Sequence, residues 1–513
     1  MTSFPAQIPT TKTSPLCKAL TAVGLPWPWA ILIGLALIAQ LALIWTHAPW
    51  ADELQATALA RESHSVADLY WNFRYEGHAP LWHLLLKIPL AFTEDPTALK
   101  IVQTFVVLCS AALLHLRAPF SAQVKFLLSL NYFLFFEYGV IARDYSLTVL
   151  FFFGGVAFRR QSLAWLFIAL LPQGGLQSIM LAGICGLLVL REQGWRWGGA
   201  LLAGSGGLVA LVWIWPAPDF GSLDTLLSGP WQERLAYALY HNGATLLPVD
   251  MDLQLTGWGP SATPYIILLA GVLAPILAIF SLTGRSPVFA LLAGLFILAS
   301  FTLSMMLYAL SSRHFGLWVV LLVGLLWTQH KPGAPTQGVA LLWILMLALG
   351  GAGAGVRQIM TPFSASADTA QALQEESGQT TLIIPAFVLL GAEVNGMLRI
   401  PTFDMAGQCM QSFVRWRRNV FMPPPPDEAS LAELQEISRK GLADLKSVAA
   451  RAGGRALLML DFRVSVSLTT IDDPALSFVR IIGTRSPEMQ RRYLYRLDVP
   501  PDPHPVPIPP CIR

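Results

Sequence analysis

Charge is scarce in this chain. Only 13% of its 513 residues are Asp, Glu, Lys or Arg, against 54% that are hydrophobic. Soluble domains carry about 25% charged residues, so this deficit argues against a string of ordinary soluble domains and points to a bilayer. No basic patch is interleaved with aromatics, which removes the case for nucleic acid. There is also no glycine-rich phosphate loop of useful specificity, no His-Glu-x-x-His and no cysteine pair at metal-ligand spacing. A nucleotide loop and a tightly held zinc are therefore set aside. No internal repeat is visible, which weighs against a repeat-built transporter. Cysteine is sparse, with five residues. Cys109 and Cys185 fall in apolar runs, where a thiol is a small hydrophobe, and Cys17 falls in the N-terminal tail. Cys409 and Cys511 fall in the polar C-terminal part, where an exported location would let them pair as a disulfide.

What the chain has in abundance is apolar segments near the roughly 20 residues that cross a bilayer as helix. Eleven spans can be drawn, at 29–46, 99–116, 124–140, 145–158, 161–172, 176–190, 198–215, 264–282, 287–309, 314–329 and 338–356. The first follows Lys12 and Lys18 and lacks a small-x-small cleavage site, which fits a signal anchor. Two neighbours meet at the breaker Pro172-Gln173-Gly174-Gly175. Residues 80–92 are apolar but too few to span, so they read as a half-inserted helix.

Positive charge tests this layout. With the N-terminus inside, the inner turns hold Arg117 and Lys125, Arg159 and Arg160, Arg191 and Arg196, Arg285, and Lys331. Every inner turn is then basic, as the positive-inside rule requires. A full crossing by 80–92 would put Arg159 and Arg160 outside. The outer face receives a loop at 47–98, a turn near 137–145, a long loop at 216–262 with Trp231, Tyr237, Tyr240 and Trp258, and everything after about 357. That last part has a soluble composition. Strand-like runs at 381–385, 456–462, 478–482 and 493–497 alternate with helical patterns, the clearest at 430–451 after the prolines at 423–426. Such alternation predicts a small α/β domain.

The polar residues worth attention all fall on the outer side. Asp52 and Glu53 follow the first span; they suit a helix N-terminus, and equally a carboxylate that takes a proton from a hydroxyl. Asp52 with Glu76 is also the pair that would hold a divalent cation, if one binds. Glu76 and His78 come next. His83 and Lys87, four apart, share one face of the half-helix and could meet a phosphate at headgroup level, although interfacial anchoring explains them too. Glu137 and Arg143 flank an outer turn, and Arg313 and His314 form a second cationic point on that side. Arginines outside run against the positive-inside trend, and their planar forks suit phosphate oxygens.

This ordered set resembles the GT-C glycosyltransferases, polytopic enzymes that take sugar from a polyprenyl-phosphate carrier and include protein O-mannosyltransferases and lipid A aminoarabinose transferases. Asp52-Glu53 resembles their first-loop acidic motif. Gly77-His78-Ala79-Pro80-Leu81-Trp82 is similar to their His-Pro-Pro-Leu-aromatic motif, with Ala79 in place of the first proline. Glu137…Arg143-Asp144-Tyr145 is similar to a Glu-x-Arg-x-Tyr element with the acid displaced upstream, and Ser312-Arg313-His314 to a basic turn before a late span. The likeness covers about 50–330, and the C-terminal domain is similar in type alone.

The resemblance implies a GT-C-type α-helical membrane protein with an exported α/β domain: a cytoplasmic tail at 1–28, a transmembrane domain at 29–356 and a periplasmic domain at 357–513. It implies inverting transfer of a sugar from a polyprenyl phosphate to a glycan, lipid or protein hydroxyl at a bacterial inner membrane. Asp52 would be the base, with Glu53, Glu76 and His78 orienting acceptor or cation. His83, Lys87, Arg143, Arg313 and His314 would face the donor phosphate, with Glu137 and Tyr145 in support. The rival readings are a flippase for a lipid-linked saccharide and a polymerase or ligase using a pyrophosphate donor.

Overall fold

The structure, a computed structural model, describes residues 26–93, 96–218, 230–247, 263–283, 286–308, 310–331, 336, 338–376, 381–385, 388–405, 407–416, 431–460, 473–483 and 491–511. Lys12, Cys17, Lys18, Trp258, Arg285 and the prolines at 423–426 lie outside the described residues.

Among the described residues, seven helices are long and apolar enough to cross a membrane: Trp27–Thr46, Thr97–Arg117, Leu176–Gln193, Trp197–Ile214, Tyr265–Leu282, Pro287–Met306 and Val339–Met360. They correspond to seven of the eleven spans drawn from sequence. The other four differ for local reasons. The 124–140 run is broken, because Asn131 accepts at its side-chain oxygen from the N–H groups of Phe133 (3.1 Å) and Leu134 (3.3 Å). Helix Ala122–Ser129 stops there and a π-helical turn, Tyr132–Glu137, begins. The 161–172 run gives only eight α-helical residues, Leu163–Leu170, before a 3₁₀ turn at Leu171–Gly174. Tyr145–Ala157 and Leu317–Gln329 have thirteen residues each and are buried on nearly every side. A helix apolar all round belongs inside a bundle, so lipid thickness does not set its length. Gly324 lets this pair close, since a Cβ there would fall 2.3 Å from the Phe152 ring.

Charge separates the two ends of the bundle. Arg159 and Arg160 follow the end of Tyr145–Ala157 and both pair with Glu192, while Arg117 lies over the Phe158 ring. Arg143 and Asp144 precede the start of the same helix. At that opposite end lie three short helices from the 47–98 loop: Ala51–Glu62, Val66–Phe73 and Leu81–Leu90. The last is the 80–92 run. Its ten residues extend about 15 Å, half of a hydrocarbon core of about 30 Å. From the 216–262 loop comes helix Trp231–Gly243, with Trp231 and Tyr237 exposed.

The C-terminal part holds strands β1 (Leu382–Pro385), β2 (Thr402–Asp404), β3 (Cys409–Gln411), β4 (Arg455–Leu460), β5 (Leu476–Ile482) and β6 (Arg492–Asp498). Four of them form a sheet in the order β1-β4-β6-β5, with β1 parallel to β4 and the other pairs antiparallel. Alternate residues serve two cores. Leu382, Ile384 and Leu458 pack with Leu445 and Val448 of helix Leu431–Arg451. Ile383, Leu457 and Met459 pack with Leu373 and Val394 on the other face. Strands β2 and β3 form a separate ribbon, and Cys409 is disulfide-bonded to Cys511. The sheet is docked on the membrane part through helix Val388–Leu398, whose Gly396 lies so close to helix Ala51–Glu62 that a Cβ would sit 2.5 Å from Leu54 Cβ.

Candidate functional site

Asp52 stands in the first turn of helix Ala51–Glu62, where the exposed backbone N–H groups favour an acid. Its Oδ2 takes an ion pair from Arg143 Nη1 and a second from Arg313 Nη2 at 3.1 Å. Burial alone would raise the Asp52 pKa, but the Arg143 and Arg313 charges overcome it and hold the carboxyl below its ordinary value. The Arg143 guanidinium also reaches the His78 ring, with Nη2 3.5 Å from Nε2. Behind it, His78 Nδ1 lies 3.0 Å from Oδ2 of the buried Asp144. Four segments remote in sequence thus meet in one chain of contacts, from Asp52 to Arg143, Arg143 to His78 and His78 to Asp144, with Arg313 closing the other side.

Aromatic rings and turns fix the cations. The Arg313 guanidinium carbon is 5.0 Å from the Trp50 ring and that of Arg143 is 5.8 Å from the Tyr145 ring. The Tyr138 hydroxyl donates to the Arg313 carbonyl at 2.5 Å. The His314 ring lies edge-on to Tyr145 at 5.6 Å, and its Nδ1 accepts from the Ser311 N–H at 3.1 Å. His241 of helix Trp231–Gly243 accepts in the same way from the Ser312 N–H at 3.2 Å, which ties that helix to this turn. The 172–175 breaker also ends here. Gly175, at φ 108°, uses a backbone region that other residues rarely adopt, and it packs beside His78 and Asp144.

The remaining expected residues occupy different places. Glu53 is fully buried and does not face a substrate. One of its oxygens accepts from the Trp50 N–H (3.0 Å) and bonds His47 (2.9 Å), and the other accepts from the Ala142 N–H (2.7 Å). It locks the first span, the helix start and the Arg143 turn together. Lys87 is not joined to Asp52, Arg143 or Arg313: its ammonium is bound to the carbonyls of Ala60 (3.1 Å) and Ser63 at the end of helix Ala51–Glu62. His83 is buried edge-on against Phe73 at 4.5 Å, a ring behind the site. Glu137 accepts from the Tyr132 hydroxyl at 3.1 Å on the π-helical turn, and Asp144 is the acid beside Arg143 and His78. Glu76 accepts from Gln55 Nε2 at 2.7 Å; burial raises its pKa, partly offset by that hydrogen bond.

Two guanidinium groups hold Asp52 and would repel a divalent ion beside it, while Glu76 is bonded to Gln55. Among the described residues, the group of His, Cys or acidic ligands close enough for a metal is Asp404, Cys409 and Cys511, and its two sulfurs are joined. Sequence reasoning missed His47, Gln55 and Asp144. Asp144 stood in plain view beside Arg143, whereas the other two carry no signal without their partners.

No family model matches the chain, and no curated protein matches it. Among solved structures it is similar to that of ArnT from Cupriavidus metallidurans in the apo state, at a TM-score of 0.42 and 14% identity, over 93% of this chain and 98% of that one.

Proposed function

We propose that this chain is an inverting membrane glycosyltransferase that moves a sugar from a polyprenyl-phosphate donor to a hydroxyl acceptor on the periplasmic face of a bacterial inner membrane. In this reading residues 1–28 are cytoplasmic, 29–356 form the membrane domain and 357–513 are exported. The carrying observation is that one Asp52 oxygen is shared by two arginines at the bundle end opposite the basic turns.

A carboxylate between guanidinium groups occupies the place of an anion. The donor phosphodiester would enter beside it, because two planar forks offer more N–H donors than one oxygen uses. The acceptor oxygen attacks the anomeric carbon from the face opposite the phosphate, and the bond from that carbon to the phosphate oxygen breaks. Asp52 takes the acceptor proton, an assistance of about 10²–10⁴-fold. The leaving phosphate gains one negative charge, which Arg143 and Arg313 neutralise in place. His78 and Asp144 keep Arg143 aimed, and Tyr145 and Trp50 limit how far the two guanidinium groups can swing. The sugar, hexose or pentose, and the acceptor are set by residues other than these.

The test supplies purified protein with radiolabelled polyprenyl-phosphate sugar and cell-envelope extract, beside Asp52→Asn. Label in an acceptor with the wild type alone supports the reading. Equal transfer by both removes Asp52 as the base. Label that only crosses a vesicle bilayer favours the flippase, and transfer from a pyrophosphate donor alone favours the polymerase or ligase.

A further inference from the structure

Two glutamines stand inside apolar spans, where an amide is costly unless it finds partners; both place their NH₂ groups, while Gln103 Oε1 is left without a partner among the described residues. Gln40 lies on Trp27–Thr46 and Gln103 on Thr97–Arg117, and both are buried. Neither reaches the charged site. Both are aimed at the same irregular segment. Gln40 Nε2 donates to the carbonyls of Leu134 (2.9 Å) and Phe135 (2.8 Å), and Gln103 Nε2 to those of Tyr138 (2.8 Å) and Gly139 (2.9 Å). The segment is the π-helical turn and its exit, a geometry that α-helical bonding alone does not hold. Gly139 completes the lock, since a Cβ there would fall 2.1 Å from Gln40 Nε2.

This segment connects the charged groups. Its exit leads to Arg143 and Asp144, and its Tyr138 hydroxyl holds the Arg313 carbonyl. The span bearing Gln40 runs out to Asp52. We infer that Gln40 and Gln103 are positioning residues that set the register of Arg143 and Arg313 against Asp52, and so create the phosphate preference of the site. The inference rests on the donor class proposed above. A slip by one carbonyl moves a helical segment by about 1.5 Å, and misplacement by about 1 Å can cost about 10²-fold.

The test uses the full chain in detergent and two probes, undecaprenyl phosphate and undecaprenol, with binding followed by tryptophan fluorescence and thermal unfolding measured without lipid. The wild type prefers the phosphate. Gln40→Leu, Gln103→Leu and Gly139→Ala each lower that preference about tenfold or more, measured as a ratio that a general loss of stability does not change. Gln40→Met and Gln103→Met keep the side-chain reach and remove the donors, so they remain informative where leucine destabilises the fold. A Cβ at Gly139 would also meet the Phe135 and Leu134 carbonyl oxygens at 2.3 and 2.5 Å, the same acceptors that Gln40 uses. Variants that keep the wild-type ratio overturn the inference, whatever their melting temperature. A wild type without phosphate preference overturns the donor assignment and this inference with it.

Discussion

Arg313 Nη2 lies 3.1 Å from Asp52 Oδ2, the same oxygen that Arg143 takes. Two cations on one oxygen keep the carboxylate ionised, and their planar forks carry more N–H groups than that oxygen uses. Lysine would keep each charge but lose the fork. Arg143→Lys and Arg313→Lys are therefore each expected to lower transfer by about 10²-fold or more, with the fold retained. Transfer assays beside circular dichroism check this.

Glu53 faces N–H donors at both oxygens. In Glu53→Gln one amide NH₂ must turn toward a donor. The expected cost is about 1–3 kcal/mol for the backbone N–H left without an acceptor, read as a lower unfolding midpoint. Transfer falls as well, because the Ala142 contact sets the Arg143 turn.

The pH response of stability carries two opposite signs. The Asp52 pKa is lowered in the fold, so its contribution is present above the unfolded value of about 3.9 and is lost as pH falls through the folded one. The Glu76 pKa is raised, so its contribution is present below about 4.3 and is lost as pH rises through the folded value. Glu76→Gln retains an acceptor for Gln55 and removes the ionisation. Its melting temperature relative to the wild type is expected to rise between pH 4 and pH 7, and a flat difference would count against the assignment.

The Cys409–Cys511 disulfide closes a separation of 102 residues and ties the chain end to β3. Cys409→Ser is expected to cost the C-terminal part about 2–5 kcal/mol. Limited proteolysis should then cut after residue 357 sooner, while the membrane helices stay intact.

The long spans were legible because about 20 apolar residues in a row have few alternatives to a membrane helix. The strands of the sheet were legible from their bounded β-rich runs. The lengths of the inner helices were not legible, since composition cannot tell a helix buried in a bundle from one facing lipid. The Asn131 break was invisible for a different reason: one side chain capping two N–H groups decides it.

At the site, residue type singled out Asp52, Arg143 and Arg313 as charges beside apolar spans. It gave the same signal for Lys87 and Glu137, which turned elsewhere. Lys87 found two carbonyls at a helix end, and Glu137 a tyrosine on its own turn.

The amino-acid order by itself determined the membrane character and where charge interrupts the apolar spans, because solvation of each side chain is a local property. Only the tertiary structure decided which charges meet. Ion pairs and buried amides depend on distances of a few ångströms between remote segments, and Gln40, Gln103 and Glu53 set those distances from positions that look ordinary in the chain.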